Sequence, residues 1–369
     1  MQVAVLKETA ARERRVALTP DSAARLVKSK VDVVVQRGAG QAAGLPDDAY
    51  AAAGARLAED AASTCAGARI VLKVQPPTDA EVALLDADAL VISLMRPGQH
   101  QALAQRLAER RVSALALELV PRITRAQTMD VLSSQSTVAG YKAVLLGAAE
   151  LGKFLPMLTT AAGNIQPARV FVIGAGVSGL QAVATARRLG GVVSAFDVRP
   201  AAREQILSLG ANFVAQDAVS ETAETAGGYA REQSEDERDR TLSAIAAHIK
   251  DVDLVVTTAN IPGKAAPRLI TDAMLRTMRG GAVIVDLAAE NGGNCEATRP
   301  GETVRAHGVT ILGPLNLPAT VPFHASQMFG RNVLALLQHL VNKEGVLTVD
   351  PNDEITGAML VTHEGRVLR

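Results

Sequence analysis

The hydrophobic residues of this chain fall into short, often β-branched runs, with helical sequence between most of them. Runs of this kind predict buried strands, because a strand covered on both faces shows little polar alternation. The predicted strands cover residues 2–6, 31–35, 56–57, 70–74, 89–94, 113–118, 170–173, 192–196, 212–215, 254–258, 282–286, 310–312, 347–349 and 359–361. The alternation is typical of α/β proteins with largely parallel sheets.

Helical spacing predicts the other elements, at residues 50–54, 99–110, 129–149, 201–209, 245–249 and 328–341. Residues 156–167 form a break before the strand predicted at 170–173, and the last long helix returns the chain to the first domain. We therefore expect two Rossmann-like, doubly wound parallel-sheet domains with a nucleotide cleft between them. Their predicted bounds are 1–130 with 325–369, and 131–324. The charged segment 217–240 is interpreted as a solvated surface loop.

Composition narrows the function classes. The 369 residues suit about two domains. Lys and Arg together number 38, as do Asp and Glu. The chain therefore has no net positive charge that would favour binding to nucleic acid or to an anionic membrane. Aromatic residues make up 2% and Trp is absent, which argues against base-stacking surfaces. Residues 1–7 do not resemble a signal peptide, and no apolar window is long enough for a membrane span. We expect a soluble chain with no nucleic-acid partner.

Cysteine and histidine give little sign of special chemistry. Cys65 and Cys295 are too few for a disulfide framework, and neither belongs to a C-x-x-C pair. We interpret them as buried or incidental thiols in a reducing compartment. The six histidines show no metal-ligand spacing, so we expect no metal site.

A glycine-rich turn follows the strand predicted at 170–173. Gly174, Gly176 and Gly179 have the G-x-G-x-x-G spacing, with Ala175 and Val177 among the residues between them. In that fingerprint the first glycine permits the tight turn and the second lets a pyrophosphate approach the backbone. The third lets the following helix pack closely on the strand. The helix N-terminus adds free N–H groups and a positive dipole end.

An acid completes this pattern. Asp197 follows the next predicted strand, about twenty residues after the glycines, as the fingerprint requires. Its carboxylate can accept hydrogen bonds from a ribose diol and would repel a 2′-phosphate, which predicts NAD(H) in preference to NADP(H). The alternative is a plain glycine-rich turn between a strand and a helix. The correct order of strand, helix, second strand and acid favours the dinucleotide interpretation.

Three other stretches carry a family resemblance: Lys7-Glu8 with residues 14–20, residues 71–76, and residues 118–141. The first two resemble the alanine dehydrogenase and transhydrogenase superfamily. The third includes Pro-Arg-Ile-Thr-Arg-Ala-Gln-Thr-Met-Asp-Val-Leu-Ser-Ser-Gln-Ser, starting at residue 121. It resembles the NAD(H)-binding component of proton-translocating nicotinamide nucleotide transhydrogenase. The resemblance continues through 174–176, 224–229, 261–264 and 292–295, and so covers nearly the whole chain.

Departures separate the two relatives. Alanine dehydrogenases carry a His in a strand-end Leu-His-Leu motif, and Met95 stands there in this chain, where it cannot shuttle a proton. The position of their catalytic Asp is matched by Glu290. Arg15 and Lys73, which hold the keto acid in those enzymes, are present, and we interpret them as inherited structural residues. Amino-acid oxidation at this site is therefore not expected.

The transhydrogenase resemblance implies another set of residues, with Arg122, Gln127, Asp130 and Ser133 lining the nicotinamide and its ribose-phosphates. Gln127 offers both a donor and an acceptor to a carboxamide, and Arg122 suits a phosphate or carboxamide oxygen. Asp130 and Ser133 lie one turn apart at a helix start, so they can face one side. The alternative for this pair is a helix N-cap with a salt bridge.

Further cofactor contacts follow from the same resemblance. In the family, a mobile loop folds over bound NAD(H), which agrees with the hinge-like Gly227-Gly228 and the polar residues around it. The implied cofactor-binding residues are Gly174, Ala175, Gly176, Val177, Gly179, Asp197, Val198, Arg199, Tyr229, Thr258, Ala259, Glu290 and Asn291.

The resemblance implies an NAD(H)-binding subunit of an energy-linked transhydrogenase, which passes hydride from NADH to NADP⁺ on a partner subunit. The implied partners are a second copy in a homodimer and membrane-embedded subunits carrying the proton channel and the NADP(H) domain. The expected location is cytoplasmic, peripheral at the inner membrane through those partner subunits. Two alternatives remain open: a free-standing amino-acid dehydrogenase resembling alanine dehydrogenase, and a non-catalytic NAD sensor.

Overall fold

The computed structural model describes residues 1–214, 231, 233–261, 264–342 and 344–369. The chain divides into two compact units. The first comprises Met1–Gln135 and Pro318–Arg369, and the second comprises Ser136–Leu317.

The N-terminal segment of the first unit alternates strands and helices, as its apolar runs predict. Its strands are β1 (Gln2–Val5), β2 (Asp32–Gln36), β3 (Arg56–Ala58), β4 (Ile70–Leu72), β5 (Leu90–Ser93) and β6 (Ser113–Ala116). Its helices are α1 (Pro20–Lys28), α2 (Asp47–Ala52), α3 (Ala61–Cys65), α4 (Asp79–Ala83) and α5 (Gln101–Glu109).

The second unit contains the glycine loop. Its helices are α6 (Val131–Glu150, which begins in the first unit), α7 (Val177–Arg188), α8 (Pro200–Ser208), α9 (Glu235–Ile249) and α10 (Asp272–Leu275). Its strands are β7 (Leu158–Thr160), β8 (Gly163–Ile165), β9 (Arg169–Ile173), β10 (Val192–Phe196), β11 (Asn212–Phe213), β12 (Leu254–Thr257), β13 (Val283–Asp286), β14 (Thr303–Ala306) and β15 (Val309–Leu312).

The C-terminal segment completes the first unit. It contains α11 (Pro322–Leu340), α12 (Thr356–Met359), β16 (Leu360–His363) and β17 (Arg366–Val367). The sheet of this unit has the order β17-β16-β6-β5-β4-β1-β2-β3. Strands β1 to β6 are parallel, and β16 joins β6 antiparallel.

Alternate residues of β1 supply the two faces of the first sheet. Val3 and Val5 belong to one apolar core cluster, while Ala4 and the following Leu6 belong to another. A sheet covered on both faces has no solvent side, which explains the continuous apolar runs seen in the sequence.

The second sheet has the order β11-β10-β9-β12-β13-β15-β14, with β14 antiparallel at its edge. Its first six strands along this order repeat the 3-2-1-4-5-6 arrangement of a dinucleotide-binding fold. The direction of winding changes between β9 and β12, which are paired in parallel. In such sheets the ligand crevice lies at the carboxyl ends of the strands beside this change. The predicted pair of Rossmann-like, doubly wound sheets is confirmed.

Two glycines let α6 pack closely within the second unit. A Cβ at Gly140 would lie 2.0 Å from the carbonyl oxygen of Ser178, and one at Gly147 would lie 2.3 Å from a methyl carbon of Leu254. Helix α6 therefore approaches both α7 and the central strand β12 at distances that larger residues would not permit.

The structure corrects three sequence predictions. The break at 156–167 contains the two-stranded hairpin β7–β8, whose strands pair antiparallel. The loop interpreted at 217–240 ends early, because a reciprocal cap between Ser234 and Glu237 starts α9 at Glu235. The strand predicted at 347–349 is wrong, since Leu347 forms only an isolated bridge with Val341.

Candidate functional site

The turn after β9 has the close packing that its glycines predict. Gly174 has a φ of 95°, in the region that favours glycine. A Cβ on it would lie 2.6 Å from the Thr258 hydroxyl oxygen, and one on Gly179 would lie 1.8 Å from the Gly174 carbonyl oxygen. The Thr258 hydroxyl donates a hydrogen bond to that carbonyl, 2.9 Å away. These glycines therefore bring the turn, α7 and the end of β12 together.

Gly176 has open space instead. A Cβ there would meet no described atom within 4 Å, and no described side chain caps the twelve-residue helix α7 that begins at Val177. The uncapped first turn supplies N–H donors and the positive end of the helix dipole. Open space beside such donors suits a pyrophosphate, so the loop passes the geometric test for a dinucleotide.

Asp197 lies against this loop at the carboxyl end of β10. Its carboxylate is only 6% exposed and accepts the backbone N–H of Ala175 at 2.7 Å. Arg199 donates to it from the backbone N, from Nε and from Nη2, each at 2.9 Å. The position of this acid at the strand end was predicted from the sequence, but its ion pair with Arg199 was not. Val198, between the two, is half-buried.

A buried amide holds the segment after β12. Thr258 and Ala259 are half-buried, and Asn294 is fully buried beside them. The Asn294 side chain accepts the backbone N–H of Ala259 at 3.0 Å and donates to its carbonyl at 2.8 Å. A third bond reaches the carbonyl of Pro267. Asn294 thus fixes both backbone groups of a predicted cofactor residue.

Asp286 is a site-building residue that the sequence analysis missed. Its fully buried carboxylate accepts from five groups. The donors are the Thr257 and Thr298 hydroxyls and the backbone N–H groups of Ala288, Asn294 and Cys295. It ties the end of β13 to the end of β12 and to the segment carrying Asn294. The available signal was an acid ending a wholly apolar strand.

Glu290 and Asn291 are exposed residues of the 3₁₀ turn Ala289–Asn291. Glu290 accepts the backbone N–H of Asn316 at 2.6 Å, and the Asn291 amide donates to Asn260 at 3.0 Å. Both side chains therefore belong to a local network at the carboxyl end of the sheet. Tyr229, the other predicted contact, lies outside the described residues, as does the rest of the 224–229 motif.

The first unit contains a separate pocket of about 310 Å³. Its lining residues are Pro121, Arg122, Ile123, Gln127, Asp130 and Ser133. All four residues that the resemblance implies for the nicotinamide end therefore meet at one pocket. Arg122 and Gln127 are exposed, while Asp130 and Ser133 are half-buried.

Asp130 also caps the helix below this pocket. It accepts the backbone N–H of Ser133 at 2.9 Å and the Ser133 hydroxyl at 2.6 Å, at the first turn of α6. The N-cap that was the alternative interpretation of this pair is thus present. Capping and pocket lining coexist, because the cap fixes where the Ser133 oxygen points.

Met95 lies two residues after β5 and is buried. The Glu118 carboxylate accepts the backbone N–H groups of Met95, at 3.0 Å, and of Arg96. The Arg96 backbone is left-handed, with a φ of 47°. The strand end is thus a fixed turn whose buried thioether has no proton to transfer.

Arg15 and Lys73, the two cations that the resemblance implied for a keto acid, are both buried and paired. Arg15 forms a bidentate ion pair with Glu13, with bonds of 2.8 and 2.7 Å, and donates to Gln135 at 2.9 Å. Lys73 donates to Glu81 at 2.7 Å and lies 3.5 Å from Glu8. These contacts support the interpretation of Arg15 and Lys73 as structural residues.

Glu8 is the unusual member of this cluster. Burial raises the pKa of its carboxyl to about 7, against the opposing effect of Lys73. One oxygen accepts the backbone N–H of Val74 at 2.6 Å, two residues after β4. The group therefore titrates near neutral pH, inside the core of the first unit.

The residues that the structure describes form neither a metal site nor a membrane-spanning helix, and their two thiols are buried. No three His, Cys, Asp or Glu side chains are grouped there as a metal site requires. Among the same residues, no helix has the length and apolar character to cross a bilayer. Cys65 and Cys295 are buried thiols, as expected, and burial raises the pKa of each to about 11.

The doubly wound sheet and its glycine loop define a dinucleotide-binding protein of the Rossmann class. The chain belongs more particularly to the alanine dehydrogenase/PNT family. The family model "Alanine dehydrogenase/PNT, C-terminal domain" matches residues 143–369, and "Alanine dehydrogenase/PNT, N-terminal domain" matches residues 4–139. The resemblance drawn from the sequence is thereby confirmed.

Transhydrogenases and an alanine dehydrogenase both match the whole chain. An NAD(P) transhydrogenase subunit alpha polypeptide of Rhodospirillum rubrum is 45% identical over 375 residues, covering 100% of this chain and 98% of the relative. The crystal structure of transhydrogenase from Sinorhizobium meliloti has a TM-score of 0.91 and 42% identity, with 100% of both chains covered. An L-alanine dehydrogenase structure reaches 0.83 with 26% identity, covering 100% of this chain and 97% of that one.

Proposed function

We propose that this chain is the NAD(H)-binding component of a proton-translocating transhydrogenase, in which NADH bound here passes hydride directly to NADP⁺ on a partner subunit. The observation that carries the proposal is the contrast between two regions of the first unit, the segment after β5 and the pocket at residues 121–133. The buried Met95 stands where an amino-acid dehydrogenase needs a proton-transferring group. Meanwhile Arg122, Gln127, Asp130 and Ser133 meet at one pocket.

The second unit is the proposed holder of NAD(H). The open space at Gly176 and the uncapped start of α7 receive the pyrophosphate, and Asp197 faces the adenosine ribose. Bound NADH supplies the hydride, so the protein contributes binding and orientation. Further proposed contacts are Gly174, Ala175, Val177, Gly179, Val198, Arg199, Tyr229, Thr258, Ala259, Glu290 and Asn291.

The pocket residues have proposed roles at the nicotinamide half of the nucleotide. Gln127 orients the carboxamide with one donor and one acceptor, and Arg122 binds a phosphate or carboxamide oxygen. The Ser133 hydroxyl donates a hydrogen bond to Asp130, so its oxygen can act only as an acceptor toward the nucleotide. The group therefore positions the ring rather than exchanging protons with it.

The proposal extends to domains and partners. We take the two compact units as the two domains, close to the bounds 1–130 with 325–369 and 131–324 expected from the sequence. Relatives named as the alpha subunit of a transhydrogenase support the existence of further subunits. We propose that membrane-embedded partners carry NADP(H) and the proton channel. They would hold this chain at the cytoplasmic face of the inner membrane.

Exposed apolar residues support a homodimer. Phe154 is 55% exposed and Met157 60%, and Ile165 on the hairpin β7–β8 is also exposed. An isolated two-stranded hairpin is marginally stable in water, so a covering surface is expected, and we propose a second copy of this chain. Phe154→Ser with Met157→Ser should yield monomers in analytical ultracentrifugation. A dimer that persists at micromolar concentration would exclude this surface, and Val346→Ser, far along the chain, serves as the exposed apolar control.

Two assays on the purified chain test the proposed activity. Alanine with NAD⁺ should produce no NADH absorbance, because Met95 cannot take part in proton transfer. NADH with NADP⁺ should react only after an NADP(H)-binding partner subunit is added. Alanine-dependent NADH formation would identify an amino-acid dehydrogenase instead. Nucleotide binding with neither activity would identify a sensor.

A further inference from the structure

Helix α11 buries an amide side chain within its apolar surface. Phe329 belongs to the apolar core cluster of the first unit, and Asn332, one helical turn further along, is only 9% exposed. The Asn332 Nδ2 donates to the Thr128 carbonyl at 2.8 Å. Its Oδ1 is buried and accepts no hydrogen bond from the residues that the structure describes. Since a buried acceptor without a donor costs free energy, stability alone does not account for an amide at this position.

The Thr128 carbonyl belongs to the backbone segment that carries Gln127. The six residues Thr124–Met129 form a 3₁₀ helix, and runs of this kind longer than about four residues are uncommon because their hydrogen-bond geometry is poor. Ala126 and Met129 bury their side chains in the same apolar cluster as helix α11, while Gln127 is exposed. Apolar packing is not directional, so it does not fix how the segment is rotated about its own axis. A hydrogen bond to the carbonyl next to Gln127 is directional and does fix that rotation.

We propose that Asn332 is a positioning residue for hydride transfer: by holding the Thr128 carbonyl from α11, it fixes the direction in which the Gln127 side chain enters the pocket. The inference rests on the proposed function, in which Gln127 orients the nicotinamide carboxamide. It adds a residue that does not belong to the lining of the pocket and acts through the backbone of one that does.

The start of α6, which also lines the pocket, is held against the same helix. Gln135 in α6 donates to the Ala325 carbonyl of α11 at 3.1 Å and accepts from Arg15 at 2.9 Å. It lies two residues after Ser133, whose hydroxyl is fixed by the Asp130 cap. Helix α11 therefore supports both the 3₁₀ segment and the helix start, and the spacing between their pocket side chains is set by one rigid element.

The first test compares Asn332→Leu with the unaltered full chain, each combined with the partner subunits. Leu has a similar size but no donor, so the kcat of hydride transfer should fall at least about tenfold, the scale of a misplacement of roughly an ångström. The KM for NADH should change far less, because the contacts at the glycine loop remain. The urea midpoint should stay close to that of the unaltered chain, since the substitution also removes the unpaired Oδ1.

A second variant and a matched control separate positioning from a general loosening of α11. Asn332→Asp keeps the shape of the side chain, but its carboxylate has no proton to donate and should slow transfer as well. It keeps the test available if Asn332→Leu fails to fold. Ser326→Ala removes another fully buried polar side chain from α11, one that accepts the backbone N–H of Val16 at 3.0 Å. This control should leave the transfer rate unchanged.

Hydrogen–deuterium exchange on the nucleotide-free chain gives a measurement that does not depend on activity. The backbone N–H groups of Ala126 and Asp130 donate hydrogen bonds within the 3₁₀ segment and at its end. Their exchange should be faster in both variants at Asn332, because the tether of the segment to α11 is lost. It should be unchanged in Ser326→Ala.

Unchanged transfer in both variants at Asn332, with an active unaltered chain, would overturn this inference and leave the proposed function standing. Equal slowing in Ser326→Ala would assign the effect to the stability of α11 and would also overturn the inference. No transfer by the unaltered chain with its partner subunits would overturn the proposed function, and the inference with it.

Discussion

At the scale of single residues, Gly176 is the position at which a substitution should most directly block nucleotide binding. Gly176→Val places a branched side chain in the space proposed for the pyrophosphate, which is otherwise open. NADH binding should fall by at least about a hundredfold, as expected when several backbone bonds to phosphate are lost. Gly152→Val is the matched control, because a Cβ at Gly152 also meets no described atom within 4 Å. Calorimetry and thermal melting of both variants should show lost binding in the first alone, with both folded.

A substitution at Gln127 separates the positioning of the nicotinamide ring from the binding of NADH. Gln127→Asn shortens the side chain by one methylene, so the amide no longer reaches the ring at its proposed place. Hydride transfer in the reconstituted enzyme should slow at least about tenfold, because a misplacement of roughly an ångström costs that much or more. NADH affinity should fall less, since contacts at the glycine loop remain. Stopped-flow transfer and a binding titration decide the matter, and an unchanged rate with collapsed affinity would make Gln127 a binding residue only.

Residue identity was predictable where spacing carries the information. The G-x-G-x-x-G motif located Gly174, Gly176 and Gly179 and the acid at Asp197, because these residues are close in the chain. The Arg199 ion pair was not, since it depends on a rotamer. Asp286 was missed because its partners at 257, 288, 294, 295 and 298 converge only in the folded state.

At the scale of elements, Asp286 joins β13 to β12 and to the segment after the Gly292-Gly293 turn. Asp286→Ala would leave five buried donors without their acceptor. Unsatisfied buried groups are costly, so the free energy of unfolding should fall by more than about 3 kcal/mol. Urea denaturation measures this. Asp251→Ala, which removes an exposed acid paired with Arg279, should leave the urea midpoint nearly unchanged, because exposed ion pairs contribute little to stability.

Glu8, which lies shortly after β1 in the first unit, should make the free energy of unfolding depend on pH. Its folded-state pKa of about 7 lies above the ordinary value of 4.5, because burial favours the neutral carboxyl. Stability from this group is therefore fully present below about pH 4.5 and is lost as the pH rises through about 7. The shift corresponds to a loss on the order of 3 kcal/mol.

Thermal melting between pH 5 and 8 checks the role of Glu8. Glu8→Gln keeps a neutral side chain at every pH, so its melting temperature should fall less across that range than that of the unaltered chain. Glu59→Gln, at an exposed acid, should leave the slope unchanged. Parallel slopes in the unaltered chain and Glu8→Gln would assign the effect to another group.

Elements with strong apolar periodicity were predictable, and those at edges were not. The central strands β9, β10, β12 and β13 are buried runs that the sequence shows directly. Edge strand β14 and hairpin β7–β8 carry exposed, mixed residues, so tertiary pairing decides them. The start of α9 had a readable signal in the Ser234 and Glu237 capping box, which the charged composition of its surroundings obscured.

At the scale of the whole molecule, two units repeat one sheet arrangement with different chemistry at their strand ends. The first has the buried charges of Glu8, Arg15 and Lys73, engaged with one another or with neighbouring acids. The second has an open glycine loop and a helix start. Under the proposed function, this difference explains how a family that includes alanine dehydrogenases also includes a chain that transfers hydride between nucleotides alone. The paired sheets were predictable from the sequence, because each arises from alternating strands and helices.

Labelled hydride tests the proposed direct transfer from NADH on this chain to NADP⁺ on a partner subunit. NADH deuterated at the transferred position is mixed with NADP⁺, this chain and the membrane-bound partner subunits, and the product is analysed by mass spectrometry. Direct transfer should yield NADPH that retains the deuterium, and no transfer when this chain is omitted. NADPH without the label, or equal label transfer without this chain, would contradict it.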